Sequence, residues 1–326
     1  MDKAKLGSDG PEITKVGFGA WAVGGPYKFG WGPQDDDASI AAIRHAVEAG
    51  INWVDTAAVY GLGHSEEVVG RALEPYTAGE DVYIFTKCGG FFRPGLEKVE
   101  YDLRPESIRM ECDQSLKRLG IERIDLYQFH WPDNSTGTKI EDSWATMNDL
   151  INEGKVRWSG VSNFSVDLLE RCESMRHIAS SQPPLNLIKR QARNDVIPWC
   201  SARGTGVIVY APMASGLLTG KYDRAGIASL PSDDWRRNNA NYKEPELSKN
   251  LALVHELQTI AGNMGTTLTL LSVAWTLSIE GVTAAIVGGR SPEQVDGWVA
   301  AAAMELSKDE LRSIEEAIGA SGAGAG

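Results

Sequence analysis

Eight short apolar segments alternate with segments of helical periodicity, and this alternation predicts a (β/α)8 TIM barrel. Three observations favour this fold over an open doubly wound sheet. The chain has 326 residues, more than the ~250 typical of such barrels. No glycine-rich GxGxxG follows a predicted strand, so the Rossmann fingerprint is missing. Titratable residues stand at the ends of several apolar segments, where a barrel gathers its functional groups.

The elements follow in order. Residues 5–13 contain a glycine-rich turn and predict a small hairpin at one end of the barrel. The predicted strands are 16–20, the segment around Trp53, 82–85, 124–129, 156–161, 178–182, 206–210 and 283–287. The predicted helices are a first one that begins at Asp35, Asp36 or Asp37 and ends at Gly50, then 65–73, 104–119, 140–151, 166–175, 196–202, 247–261 and 268–278.

Local signals set several helix boundaries. Ser65 is followed by two glutamates and begins a helix that Pro75 stops, Pro105 suits a first turn, and Gly120 suits a helix end. Residues 213–246 show little periodicity and predict a functional loop over the C-terminal face of the barrel. We expect one barrel domain over residues 1–319 and a disordered tail of small residues at 320–326.

Composition limits the possible partners. The formal net charge is −12 and no block of lysine and arginine stands out, so neither nucleic acid nor an anionic membrane surface is an expected partner. No apolar run approaches the ~18 residues that span a bilayer, and residues 1–10 lack the apolar core of a signal peptide. The four cysteines show no CxxC spacing, which predicts a reduced, cytoplasmic protein.

Four polar residues at strand ends are the candidate catalytic set: Asp55, Tyr60, Lys87 and His130. Each has an ordinary alternative interpretation: a turn-forming acid, a rim aromatic, a solvated lysine and a hydrogen-bonded histidine. Their occurrence in order at three successive strand ends favours a shared active site.

The motifs around these residues resemble the aldo-keto reductase family. They are Asp55-Thr56-Ala57 with Tyr60-Gly61, Lys87, His130, Gly160-Val161-Ser162-Asn163-Phe164, Tyr210-Ala211-Pro212 and Gly216-Leu217-Leu218-Thr219-Gly220-Lys221. The resemblance runs in order from about residue 14 to residue 303. Trp31-Gly32 and Gly288-Gly289-Arg290-Ser291 look most like microbial members that act on aldehydes and sugars.

The chemistry of carbonyl reduction suits these side chains. A carbonyl that accepts a hydride develops negative charge on oxygen, so a proton donor is needed. We expect Tyr60 to donate the proton, Lys87 to lower the pKa of the phenol, and Asp55 to keep the lysine charged. The family resemblance implies that His130 hydrogen-bonds the carbonyl oxygen.

With no flavin motif or metal-ligand cluster in the sequence, the expected hydride donor is a nicotinamide cofactor. The resemblance implies three contact regions. Ser162, Asn163 and Gln182 bind the carboxamide, and Tyr210 stacks on the ring. Met213, Gly216, Leu218 and Lys221 belong to a loop over the pyrophosphate. Gly288, Arg290 and Gln294 lie at the adenosine.

Arg290 and the helix that begins near Ser291 favour NADP(H) over NAD(H), because both can bind a 2′-phosphate. The chain departs from the family pattern here: Gly288-Gly289 replaces a common lysine-serine pair, and Trp298 stands where an asparagine is frequent.

Three tryptophans, Trp21, Trp31 and Trp131, predict an aromatic substrate pocket, whereas Trp53, Trp144 and Trp275 predict core positions. The sequence therefore predicts an NADPH-dependent carbonyl reductase or alcohol dehydrogenase for a small aldehyde, ketone or sugar. The alternative is a nicotinamide-binding regulatory or redox-sensing subunit with little turnover. The absence of a basic or apolar partner surface in the sequence disfavours it.

Overall fold

Twelve strands are present in the parts of the chain that the computed structural model describes, which are residues 1–27, 30–91 (backbone only for Phe91), 99–232 and 234–324. In chain order they are β1 (Lys3–Lys5), β2 (Glu12–Thr14), β3 (Val16–Gly19), β4 (Trp53–Asp55), β5 (Tyr83–Cys88), β6 (Gly90–Phe91), β7 (Glu100–Tyr101), β8 (Ile124–Phe129), β9 (Val156–Ser162), β10 (Ser180–Gln182), β11 (Gly206–Val209) and β12 (Ala284–Gly288). Eight of them form a closed parallel barrel in the order β10-β11-β12-β3-β4-β5-β8-β9. The predicted (β/α)8 barrel is confirmed.

Helices separate the barrel strands, as the periodicity predicts. They are α1 (Asp36–Glu48), α2 (His64–Leu73), α3 (Pro105–Leu119), α4 (Ile140–Asn152), α5 (Val166–Glu173), α6 (Val196–Arg203), α7 (Arg224–Ala228), α8 (Glu246–Asn263), α9 (Leu268–Leu277), α10 (Pro292–Val299) and α11 (Lys308–Ser321). Asp35 caps α1 by accepting from the Ala38 N–H at 2.9 Å, and Gly120 ends α3 in a left-handed conformation.

The N-terminal hairpin plugs one end of the barrel. Strands β1 and β2 pair antiparallel, and Leu6 in the turn is fully buried in the inner core with Trp53 and Phe85. Trp53 donates its indole N–H to the Thr14 carbonyl at 2.9 Å, which ties the hairpin to β4. Burying one leucine contributes roughly 1.5–3 kcal/mol. Trp144 and Trp275 are also buried, as predicted.

Two segments differ from the expectation. Residues 213–246 contain α7 and three short 3-10 helices, which their weak periodicity hid; Asp233 lies outside the described residues. The predicted disordered tail is wrong for residues 320–324. Ala320 and Ser321 end α11, and buried Ala323 accepts from Arg190 Nη2 at 3.0 Å. Residues 325 and 326 lie outside the described residues.

Among the helices of the described residues, none combines the length and the apolarity needed to cross a bilayer.

Candidate active site

A cavity of about 910 Å³ opens at the carboxyl ends of the barrel strands. Asp55 is the last residue of β4, Tyr60 follows it in a 3-10 turn, Lys87 lies in β5, and His130 directly follows β8. Asp55, Tyr60 and His130 line the cavity, and Lys87 lies buried behind them. The structure thus brings together the four candidate catalytic residues. Strand β5 is longer than predicted and includes Lys87.

Lys87 and Asp55 form a buried ion pair. The Lys87 Nζ lies 2.5 Å from Asp55 Oδ1 and donates to the Thr56 carbonyl at 2.8 Å. Burial lowers the pKa of Lys87, and the charge of Asp55 partly offsets this effect. The carboxylate therefore favours the charged form of a lysine that would otherwise be costly to bury.

Tyr60 lies above this pair, with Lys87 Nζ 5.3 Å from the centre of its ring. Gly61 follows with a φ of 61°, and a Cβ there would lie 2.0 Å from the Gly24 carbonyl oxygen. Only glycine suits this turn, which sets the direction of the Tyr60 side chain.

The net pKa of Tyr60 differs from the expected lowering. Burial raises the pKa of Tyr60 well above its usual value, and the charge of Asp55 raises it further. The physical reason is that burial disfavours the charged phenolate, and the negative charge of Asp55 opposes the attraction that Lys87 would exert on it.

His130 faces Tyr60 across the cavity floor, with ring centres 5.6 Å apart and an edge-to-face angle of 80°. Burial lowers the pKa of His130 well below its usual value, and the positive charge of Lys87 adds to this effect. The ring is therefore a neutral imidazole, which can still donate one N–H hydrogen bond into the cavity.

The predicted carboxamide ligands form one hydrogen-bonded group on the cavity wall. Tyr210 donates its hydroxyl to Asn163 Oδ1 at 2.7 Å, and Asn163 Nδ2 lies 3.0 Å from both Ser162 Oγ and the His130 carbonyl. Ser162 Oγ donates to the Gln182 carbonyl at 2.8 Å. These bonds hold the Tyr210 ring against the cavity, and all four residues line it.

The predicted pyrophosphate loop only partly reaches the cavity. Met213 and Gly216 line it. Leu218 is fully buried, and its carbonyl accepts from Ser272 Oγ at 3.2 Å, whereas Lys221 is exposed outside the cavity lining. In this conformation, the structure therefore does not bring Leu218 or Lys221 to the site.

Gly288, Arg290 and Gln294 line the other end of the cavity. The Arg290 backbone N–H donates to Gln294 Oε1 at 3.0 Å, and its guanidinium Nη1 lies 3.4 Å from the Trp31 carbonyl. Among the described residues, the Arg290 guanidinium forms no ion pair, so its charge is not neutralised by a carboxylate there.

Aromatic side chains make up much of the cavity wall. Trp21 lies 5.3 Å from both Trp31 and Trp235, measured between ring centres. Trp131 packs on Tyr101 at 5.8 Å. The three predicted pocket tryptophans all line the cavity, and so do Tyr101 and Trp235, which sequence reasoning missed. Trp235 lies in the weakly periodic 213–246 segment, where only its residue type was a signal.

A second layer of buried polar residues supports the site, and the sequence did not indicate it. Glu66 accepts from Thr86 Oγ1 at 2.6 Å and from Arg118 Nε at 2.7 Å. Glu111 accepts from the Gly89 N–H at 3.0 and 3.1 Å. Gln128 lies inside the barrel against Asp55. These residues fix the backbone and side chains around Lys87.

The residues present fit a nicotinamide cofactor. A flat tyrosine ring and amide groups stand at the end of the cavity that holds Tyr60. At the other end, an arginine lies beside the N-terminus of α10, which is the arrangement that binds phosphate.

Known proteins resemble the chain over nearly its whole length. A sequence model described as the Aldo/keto reductase family matches residues 15–318. Aldo-keto reductase YhdN of Bacillus subtilis (strain 168) is 32% identical over 315 residues, covering 96% of this chain and 92% of that protein. The NADH-specific methylglyoxal reductase of Escherichia coli (strain K12) is 32% identical over 330 residues, covering 98% and 99%.

A solved structure shows the same likeness. The glycerol dehydrogenase from Gluconobacter oxydans superposes with a TM-score of 0.87 and 36% sequence identity, covering 98% of this chain and 95% of that one. On the family match, the relatives and the geometry together, the chain belongs to the aldo/keto reductase family, whose members are NAD(P)-dependent oxidoreductases acting on carbonyl or alcohol groups.

Proposed function

We propose that this protein is an NADPH-dependent carbonyl reductase that also runs as an alcohol dehydrogenase, with Tyr60 as the proton donor. One observation carries the proposal. Tyr60 and His130 face the same cavity as Gln182 and Tyr210, and the Lys87–Asp55 pair lies directly behind Tyr60. Groups for proton transfer and groups for holding a nicotinamide therefore share one space.

The side chains divide the work of the reaction. When bound, the nicotinamide supplies the hydride. His130, as a neutral imidazole, donates an N–H to the carbonyl oxygen and orients it. Tyr60 keeps its proton at neutral pH and donates it to the same oxygen as negative charge develops. Tyr210, held by Asn163, keeps the cofactor ring in place.

The preference for NADP(H) rests on Arg290. Its guanidinium has no carboxylate partner among the described residues and lies beside the N-terminus of α10, and both features support a contact with a 2′-phosphate. One relative points the other way, because the Escherichia coli protein is named as NADH-specific.

The cavity wall supports a small carbonyl substrate. Trp21, Trp131 and Tyr101 offer flat apolar faces, which suit aldehydes, ketones and the faces of sugars. The names of two relatives, a methylglyoxal reductase and a glycerol dehydrogenase, also point to small oxygenated molecules. Four free and buried cysteines support a reduced, cytoplasmic setting.

A panel assay tests the proposal. NADPH and NADH oxidation is followed with aldehydes, ketones, dicarbonyls and sugars, and alcohol oxidation is followed with polyols. We expect turnover with at least one small carbonyl and a higher kcat/KM with NADPH. Tight binding of NADPH without turnover of any compound in the panel would contradict the proposed catalytic function and favour a regulatory subunit. Mixtures lacking either the carbonyl or the protein serve as controls.

A further inference from the structure

The Asp55 carboxylate divides its two oxygens between a lysine and two glutamines. Oδ1 accepts from Lys87 Nζ at 2.5 Å. Oδ2 accepts from Gln182 Nε2 at 2.9 Å and from Gln128 Nε2 at 3.4 Å. All four side chains are buried within the barrel. A buried carboxylate accepts only, so each of these contacts must come from a donor.

Gln128 also gives the Gln182 amide a second acceptor. Gln182 Nε2 lies 3.3 Å from Gln128 Oε1 as well as 2.9 Å from Asp55 Oδ2, so both of its N–H groups have an acceptor. Among the described residues, Gln182 Oε1 accepts no hydrogen bond, and Gln182 lines the cavity. The amide oxygen is therefore the atom of Gln182 that remains to accept a hydrogen bond from a ligand.

The barrel has space built for Gln128. In the sheet register, Gln128 of β8 lies opposite Gly160 of β9. A Cβ at Gly160 would lie 3.1 Å from Gln128 Cγ and 2.8 Å from the Ser180 carbonyl oxygen. The absence of a side chain at Gly160 leaves room for the glutamine, which is fully buried.

We propose that Gln128 is a positioning residue for the reaction. Its hydrogen bond to Asp55 keeps the carboxylate oriented with Oδ1 against Lys87. Its contact with Gln182 orients that amide so that the Gln182 oxygen faces the part of the cavity where the nicotinamide would bind. The two glutamines and Asp55 thereby link the cofactor end of the site to the lysine beneath Tyr60. This inference rests on the proposed function.

The first test is a double-mutant cycle on the full-length protein. Gln128→Met keeps an unbranched side chain of similar length and removes both amide contacts. We expect kcat for carbonyl reduction to fall by roughly 10- to 100-fold, because the groups around Tyr60 lose their alignment. In a Lys87→Met background, the same change should lower kcat by a smaller factor than in the wild type, because the part of the effect that passes through Asp55 and Lys87 is already lost and only the part through Gln182 remains.

Two results would overturn the inference. One is a Gln128→Met kcat equal to that of the wild type, and the other is an equal fold-loss in both backgrounds, which marks a general structural effect. Gln114→Met, at an exposed position of α3, is the matched control and should leave kcat unchanged. A wild-type protein without turnover would instead defeat the proposed function, and this inference with it.

A second variant gives a signature that a merely structural role would not give. In Gln128→Glu, a protonated carboxyl can donate to Asp55 Oδ2 and accept from Gln182, whereas the ionised form places two negative charges together. We expect its kcat to approach the wild-type value at low pH and to fall as pH rises, through an ionisation that the wild type lacks. A pH profile parallel to that of the wild type would contradict the proposal.

Discussion

Tyr60 keeps its proton through neutral pH because its surroundings do not stabilise a phenolate. Burial raises the pKa of the phenol most, and the charge of Asp55, whose Oδ1 lies 2.5 Å from Lys87 Nζ, raises it further. A protonated phenol is ready to donate during carbonyl reduction. The reverse reaction needs the phenolate as a base, which is scarce at pH 7.

The two directions should therefore depend differently on pH. Reduction requires the protonated phenol, so kcat for reduction should stay level until the pH approaches or passes ~10, the usual pKa of tyrosine. Alcohol oxidation requires the phenolate, so its kcat should rise steadily with pH. Stopped-flow or steady-state profiles in both directions measure this. A reduction profile that falls with a midpoint near pH 7 would mean that the phenol pKa is lowered in the working enzyme.

Arg290 is the residue on which the cofactor preference depends. Arg290→Ala should weaken NADPH binding far more than NADH binding, since only NADPH loses a charge-assisted hydrogen bond worth roughly 1.5–3 kcal/mol. Fluorescence titration with both cofactors gives the two Kd values. Arg312→Ala, an exposed arginine in α11, is the matched control. An equal loss for both cofactors would remove Arg290 from the 2′-phosphate site.

Among the elements, α3 has a direct role in shaping the site. The carboxylate of Glu111 in α3 accepts from the backbone N–H of Gly89, two residues after Lys87. The charges of Glu66, Asp102 and Arg118 act on this carboxyl group. Burial raises the pKa of Glu111 to about 8, although the Gly89 N–H and Arg118 favour the carboxylate. The helix therefore anchors the end of β5 with a carboxyl group that is costly to ionise.

The cost of ionising the buried Glu111 carboxyl should make the stability of the protein depend on pH. Because the folded-state pKa of Glu111 is above the unfolded value of ~4.3, its contribution to stability is lost as pH rises from about 4 to 8. Glu111→Gln has no such titration. Relative to the wild type, its free energy of unfolding should improve by up to about 4 kcal/mol between pH 5 and pH 9. Urea unfolding at several pH values measures this, and a difference between the two proteins that does not vary with pH would contradict it.

For the whole molecule, the barrel is what gathers residues distant in sequence into one cavity. Apolar strands and capped helices are local signals, so the alternation, the hairpin and the four strand-end residues could be predicted. The buried polar residues that support these four could not be predicted from the sequence. Gln128 and Glu111 look like ordinary polar residues until the closed barrel brings them against Asp55 and Gly89.

Other features that the sequence did not reveal also depend on the folded structure. Nothing in the 213–246 segment marks Trp235 as a neighbour of Trp21, because that contact depends on the path of the chain over the barrel mouth. The tail residue Ala323 is small, and its burial against the Arg190 region depends on where α11 ends. The pKa direction of Tyr60 was not predicted because the sequence does not show how deeply the phenol is buried, and burial is the largest cause of the shift.

The substitution Tyr60→Phe tests whether Tyr60 donates the proton. Tyr60→Phe keeps the ring and deletes the hydroxyl, so the Kd for cofactor and the Tm should stay nearly unchanged while kcat for reduction falls by about 10²- to 10⁴-fold. Lys87→Met should cost a similar amount, and the double variant should lose far less than the product of the two. Tyr83→Phe, in the same barrel but at the opposite end of β5, is the control and should keep its kcat. A Tyr60→Phe protein with near-normal kcat would contradict the proposed mechanism.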